Sequence, residues 1–240
     1  MVYMQRSLKA LLLALLAAAL LLPAAASAGT INVGATKTKI SAPTCPNNRT
    51  TAGLSNCKIV LDWITAIPSM SDKVAYPTTI TTPGKLTSFT VGVSGISPVA
   101  SLRNSAINDV TKRYGGPPKV RLTVLRAFDG PSLVSWRVIA QSGVFVLSKD
   151  YGRVVRIPLT TQIPVVTGDV VAISVPTWAP ILSFWQPSTP VQFNYRASFS
   201  TNCKPGPQSG VNVQATIGEF AKYGCVGNQR PEFTANEVTP

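Results

Sequence analysis

The chain holds nine carboxylates and no histidine, and that combination removes most catalytic chemistry. Ser-His-Asp and Cys-His relays need an imidazole to carry the proton, and most zinc hydrolase sites need it as a ligand. What survives is paired-carboxylate chemistry of the glycoside hydrolase kind, in which two acids face each other across a scissile bond. The acids here are scattered, and no two stand close enough in sequence to share a strand face. Asp129 and Asp169 fall in turn sequences, where an aspartate usually bonds its own backbone. A glycoside hydrolase-like enzyme is kept only as an alternative, and no catalytic residue is assigned. Phosphate-loop and dinucleotide glycine patterns are missing, Asn108-Asp109 is too thin for calcium, and the cysteines form no C-x₂-C pair. No metal or cofactor is expected.

The best candidate for binding chemistry is Pro176-Thr177-Trp178-Ala179-Pro180, followed by Phe184-Trp185. An indole framed by prolines has little conformational freedom left to lose, so an exposed Trp178 would make a stacking platform for a sugar ring or a base. Arg153 and Arg156 lie near in sequence and suit an acidic group on the ligand. Burial is the commoner fate of large aromatics, and on that reading Trp178 closes the end of the fold and Trp185 is core. Arg121, Arg137 and Arg156 on outward strand faces would form a basic sheet surface, the competing reading being arginines solvated separately.

The first residues bear on compartment. Arg6 and Lys9 precede an apolar run from Ala10 to Leu22, and Ala26-Ser27-Ala28 supplies a small-residue cleavage site before Gly29, the pattern of a secretory signal peptide. The run is shorter than the roughly 20 residues a spanning helix needs, and no second long apolar segment follows. The expectation is a secreted product with residues 1–28 removed. Twenty-two basic side chains, two of them in the leader, face nine acids. Such a balance favours anionic cell-wall polymers, phospholipid headgroups or nucleic acid as partners, nucleic acid being possible but not favoured; plain solubility is the bland alternative. Four cysteines in an exported chain are expected to form two disulfides. Of three possible pairings the local one is preferred, Cys45 with Cys57 and Cys203 with Cys225, each closing a loop rich in Gly, Pro, Asn and Ser. Asn48-Arg49-Thr50 fits a glycosylation sequon, relevant only in a eukaryotic source.

The elements that must carry these residues read as short strands. Val155, Ile157 and Leu159 alternate with Arg156 and Pro158, the mark of a half-buried strand. Thr167-Gly168-Asp169 turns the chain into Val170–Val175, apolar on both faces apart from Ser174 and hence a central strand. Phe89, Val91 and Val93 follow a Pro-Gly turn and alternate with small or polar residues. Val120, Leu122 and Val124 do the same, until Arg126 breaks the parity at a strand end or a bulge. Val134, Trp136 and Val138, and later Val191, Phe193 and Tyr195, give two more strands. Cys57 to Ile67 is either a strand or a short helix, strand being preferred for its β-branched content. Ser94 to Pro118 reads as a long polar connection, 211–225 as a final hairpin, and the chain from Gly227 as a flexible tail. The expected domains are an N-terminal arm and stapled loop at 29–56 and an all-β, antiparallel, jelly-roll-like sandwich at 57–226.

Gly84-Lys85-Leu86 leading to Phe89-Thr90-Val91, then Arg121–Arg126, Arg156–Leu159 and Pro164–Ile173, together with the cysteine pair ahead of the first strand, resemble a group of secreted jelly-roll-like proteins of unknown function from soil actinobacteria. The resemblance covers roughly residues 45 to 200. It rests on turn glycines and core strands, so it implies export and a sandwich and carries no catalytic residue. The expected function is non-enzymatic binding of a carbohydrate or an anionic cell-envelope polymer. The alternative is a structural protein that self-associates outside the cell through an edge strand or the polar arm.

Overall fold

A computed structural model describes residues 28–45, 59–128, 135–183, 192–198 and 216–240. The expected leader and the stretch around Trp185 lie outside these residues, as do Cys57, Cys203 and Asp129. Within Thr30–Thr239 the chain forms one unit. Its first half contains β1 (Gly29–Val33), β2 (Leu61–Ser71), β3 (Val74–Ala75), β4 (Gly84–Val93), a helix α1 (Ala100–Tyr114) and β5 (Lys119–Ala127). There follow β6 (Ser135–Gln141), β7 (Phe145–Val146), β8 (Arg153–Val165), β9 (Val170–Ala179), β10 (Phe193–Ala197), β11 (Phe220–Lys222), β12 (Cys225–Gly227) and β13 (Phe233–Thr239).

Two sheets result. The smaller has the order β1-β13-β4-β8; the larger runs β11-β6-β5-β9-β2-β10-β12, with β3 added to β2 and β7 to β5. β4 runs antiparallel to β13 and β8, and the larger sheet's ladders are antiparallel throughout. The sheets share one core. Phe89 and Val91 of β4, Ile157 and Leu159 of β8 and Phe233 and Ala235 of β13 pack with Leu122 and Val124 of β5 and Val171 and Ile173 of β9. Fully burying a side chain of that size contributes about 1.5–3 kcal/mol, and the alternation seen in the sequence decides which residues collect this gain. The all-β sandwich is therefore observed, and Val170–Val175 is indeed a central strand, buried on both faces.

Three expectations need correction. The polar connection contains α1, a fifteen-residue helix. It buries only Ala106, Val110 and Tyr114, one residue per turn; it starts at Val99 without a side-chain cap and stops at Gly115, whose φ of 73° is the left-handed conformation of a C-terminal cap. The flexible tail is strand β13, the neighbour of β4, anchored by Phe233 and Ala235. Part of the N-terminal arm is the strand β1. The final hairpin expected over 211–225 has most of its first strand outside the described residues; β11 pairs with β6 and β12 with β10, on opposite edges of the larger sheet.

Two irregularities settle what the pattern left open. The imperfect alternation ahead of Ile67 reflects a bulge at Trp63, where the β2–β9 register shifts and φ is +45°. Near the Arg126 parity break, the β5–β6 register shifts between Val124 and Leu125.

Candidate anion-binding groove

The structure overturns the exposed aromatic platform. Trp178 is fully buried among Ile59, Ile96, Ala106, Val110 and Tyr114. Its indole N–H donates to the Gly116 carbonyl at 2.8 Å, and the neighbouring Thr177 hydroxyl donates to the Pro117 carbonyl at 2.6 Å. The cause is α1, which packs on the end of β9 and spends the polar tip of the ring on its own C-terminal turn. Trp63 completes this join, its ring edge-on to Tyr114 at 5.9 Å. Prolines around Trp178 signalled rigidity, but not the direction in which the ring is held.

Arg153 and Arg156 are both exposed, on β8. Arg153 lies across from Val93 and Arg156 across from Thr90. Val93 is core while Thr90 faces outward, so the two arginines occupy opposite faces of the sheet. Arg156 donates through Nε to Ser88 Oγ at 3.1 Å. Neither is brought to Trp178. Arg121 and Arg137 belong to the other sheet, so no basic surface unites them with Arg156.

A groove of about 530 Å³ does exist, lined by Thr44, Gly95, Ser97, Pro98, Arg103, Tyr151 and Gly152. Four chain segments meet there: the N-terminal arm at Thr44, the exit of β4, the first turn of α1 and the turn that opens β8. Their close approach depends on glycine. A β-carbon on Gly95 would stand 3.1 Å from Thr44 Oγ1 and 3.5 Å from the Gly152 Cα, and Gly152 itself has φ of +75°. Between them Ile96 adopts φ of +63°, a strained conformation for a β-branched side chain. Three contacts fix it: burial of its side chain, a bond from its N–H to Ser94 Oγ at 2.9 Å, and a bridge to Thr44.

The groove carries polar groups with spare capacity. Arg103 spends Nη1 on the Ser97 carbonyl at 3.3 Å, leaving most of its five donors for other partners. The Tyr151 hydroxyl is buried without a partner, and burial pushes its pKa up to about 12, so it stays a proton donor. Lys149 and Arg153, both exposed, flank Tyr151 in sequence, with half-buried Asp150 between them.

The Thr44 wall belongs to the N-terminal arm, and the arm is held by a buried arginine–carboxylate contact. Arg230, 1% exposed, donates to Tyr76 Oη at 2.8 Å and to the carbonyls of Thr38 and Lys39 at 2.8 and 3.2 Å. Its guanidinium also lies over the Phe193 ring at 5.2 Å. Glu232 Oε2 sits 3.8 Å from Arg230 Nη1 and accepts the Ser41 N–H at 3.2 Å. Burial pushes the Glu232 carboxyl up to about 7, against the opposing pull of Arg230 and the Ser41 bond.

Two further acids are withdrawn from solvent. Asp169 is buried, held by Arg126 and bonded to the Val166 N–H of its own turn, the self-capping expected of it. Glu237 is buried as well. Among the described residues, twelve lysine and arginine side chains are exposed against two acids, Asp72 and Asp109. No cluster of three potential metal ligands occurs among these residues. Cys45 and Cys225 are buried, and no described cysteine is a free thiol.

Thr44 and Tyr151 carry no signal in the sequence, and Arg103 stands out only as one of the polar residues of the long connection; the three lie far apart along the chain and become neighbours in the fold. Comparison of the chain with protein-family models, with curated protein sequences and with solved structures returns no match.

Proposed function

We propose that this is an exported, non-enzymatic protein that binds an anionic cell-envelope polymer, with the groove at Arg103 as the point where an acidic group is seated. The observation that carries this reading is the disposition of charge: among the described residues, folding buries three carboxylates and exposes twelve lysine and arginine side chains against two acids. A surface of one sign concentrates polyanions and speeds their association. Neutral carbohydrate recognition by stacking loses its basis with the burial of Trp178. Strand-to-strand assembly is disfavoured at the long edge strand β8, where Pro158 and Pro164 remove ladder donors. No helix among the described residues is long and apolar enough to cross a membrane.

Export supplies the setting, with mature protein beginning at Gly29 and bridges joining Cys45 to Cys57 and Cys203 to Cys225. N-terminal sequencing of secreted material checks the first point, and non-reducing peptide mapping the second; a Cys45–Cys203 bridge would overturn the pairing.

Binding is tested with immobilised polyphosphate beside a neutral glucan. Polyphosphate should be retained, with affinity falling as salt screens the contact, and Arg103→Gln should weaken it several-fold. Equal retention of the glucan, or an unchanged affinity in Arg103→Gln, would defeat the reading. Trp178→Ala should cost roughly 3–5 kcal/mol of stability, as large aromatic deletions in cores do.

A further inference from the structure

The chain between β1 and Cys45 carries no strand after Val33, yet it is held at defined points. Arg230 takes the Thr38 and Lys39 carbonyls, Glu232 takes the Ser41 N–H, and Gly92 of β4 leaves room for the Ser41 carbonyl, which a β-carbon there would strike. The arm then reaches Ile96, where Thr44 bridges it and the Cys45 N–H donates to the Ile96 carbonyl at 3.3 Å. The last of these contacts builds one wall of the groove.

We propose that ionisation of Glu232 controls how firmly residues 38–45 dock, so that the Thr44 wall is closed at mildly acidic pH and loosens at alkaline pH. The claim about docking stands on the geometry of the clamp; its effect on ligand capture rests on the anion-binding reading of the groove.

Glu232 is 3% exposed with the arm in place. Among the described residues, the charged and titratable groups facing it are few. Arg230 lies 3.8 Å away, and Tyr76 shares that guanidinium. On the arm, Lys39 turns only its carbonyl to the cluster while its side chain, like that of Lys37, is exposed. β4 presents the uncharged Gly92. With one cation nearby and burial outweighing it, the docked state favours the protonated acid, as the carboxyl's value of about 7 reflects. Lifting the arm returns water to the carboxyl and lets it fall back toward its ordinary 4.5. The docked state therefore holds the extra proton, and the docking equilibrium weakens about ten-fold between roughly pH 6 and pH 8.5.

Hydrogen exchange of the Ser41 amide, corrected for its intrinsic rate at each pH, reads this directly. Protection should be about ten-fold higher at pH 6 than at pH 8.5, while amides of β5 keep theirs. In Glu232→Gln the difference should vanish. Gly92→Ala, which fills the space of the Ser41 carbonyl, should abolish it by lifting the arm, and serves if the first variant fails to fold. Equal Ser41 protection at both pH values in the native protein overturns the proposal. So does a difference that survives in either variant, or one matched by β5. Polyphosphate affinity measured alongside should change with Ser41 protection; a constant affinity overturns the link to the groove. If polyphosphate binds at neither pH, the functional reading fails and the docking claim is judged on exchange alone.

Discussion

Arg126–Asp169 and Arg230–Glu232 are both arginine–carboxylate pairs, yet the protein treats them oppositely. In the first, the Asp169 side chain is fully buried but the Arg126 side chain is 51% exposed, and the contact is two-pronged, Nε to Oδ1 at 2.7 Å and Nη2 to Oδ2 at 3.1 Å. The Val166 N–H adds a third bond to the carboxylate. In the second, both side chains are buried and the closest approach is 3.8 Å, while Arg230 gives its best bonds to neutral oxygens. A short, forked contact with one partner in water secures a charge at little cost. A long contact in the dry leaves desolvation unrecovered, which is why Glu232 is driven toward its neutral form.

The contrast can be broken by mutation. Arg230→Ala should have the largest effect, roughly 3–5 kcal/mol in chemical denaturation, because it strands Glu232 and the carbonyls of Thr38 and Lys39 in a buried site. A loss below about 1 kcal/mol, typical of a surface pair, would show that the two sites are alike after all.

The pH dependence comes next. The folded-state value of Glu232, about 7, lies above its ordinary 4.5. Between these values the folded chain binds more protons than the unfolded one, so the contribution is full below about pH 4.5 and is lost as pH rises to about 7. The loss is on the order of 3 kcal/mol from a shift of this size, and Glu232→Gln should flatten the urea-midpoint profile over that window. Asp169→Ala is smaller, roughly 2–3 kcal/mol, from the lost turn bond and the lost fork. Arg126→Ala is the smallest, at most about 1 kcal/mol, and should shrink further in salt.

These sites also mark how far the sequence could be read. Strands with strict alternation, Val155-Ile157-Leu159 and Phe89-Val91-Val93, were legible because each contributes one face to one core. The helix was not, since Ala106, Val110 and Tyr114 give it a single narrow stripe and Val99 gives no capping signal. β13 was hidden by Glu232 and Glu237, acids at buried positions that made a core strand look like a polar tail. The arm clamp could not be foreseen: Ser41 and Glu232 are 191 residues apart, and nothing local announces their meeting. Trp178 shows the limit most plainly, because the element that buries it, α1, carries so weak a signal of its own.

The placement of β13 bears on the order in which the sheets can close. It lies between β1 and β4 and so is needed to join the first strand of the chain to the rest of its sheet. A polypeptide synthesised from its amino end presents every other described strand before this one appears. Until then β1 has no neighbour, Phe233 and Ala235 are missing from the shared core, and Arg230 and Glu232 have not arrived to fasten the arm. Final closure of the smaller sheet thus waits for the last segments of the chain.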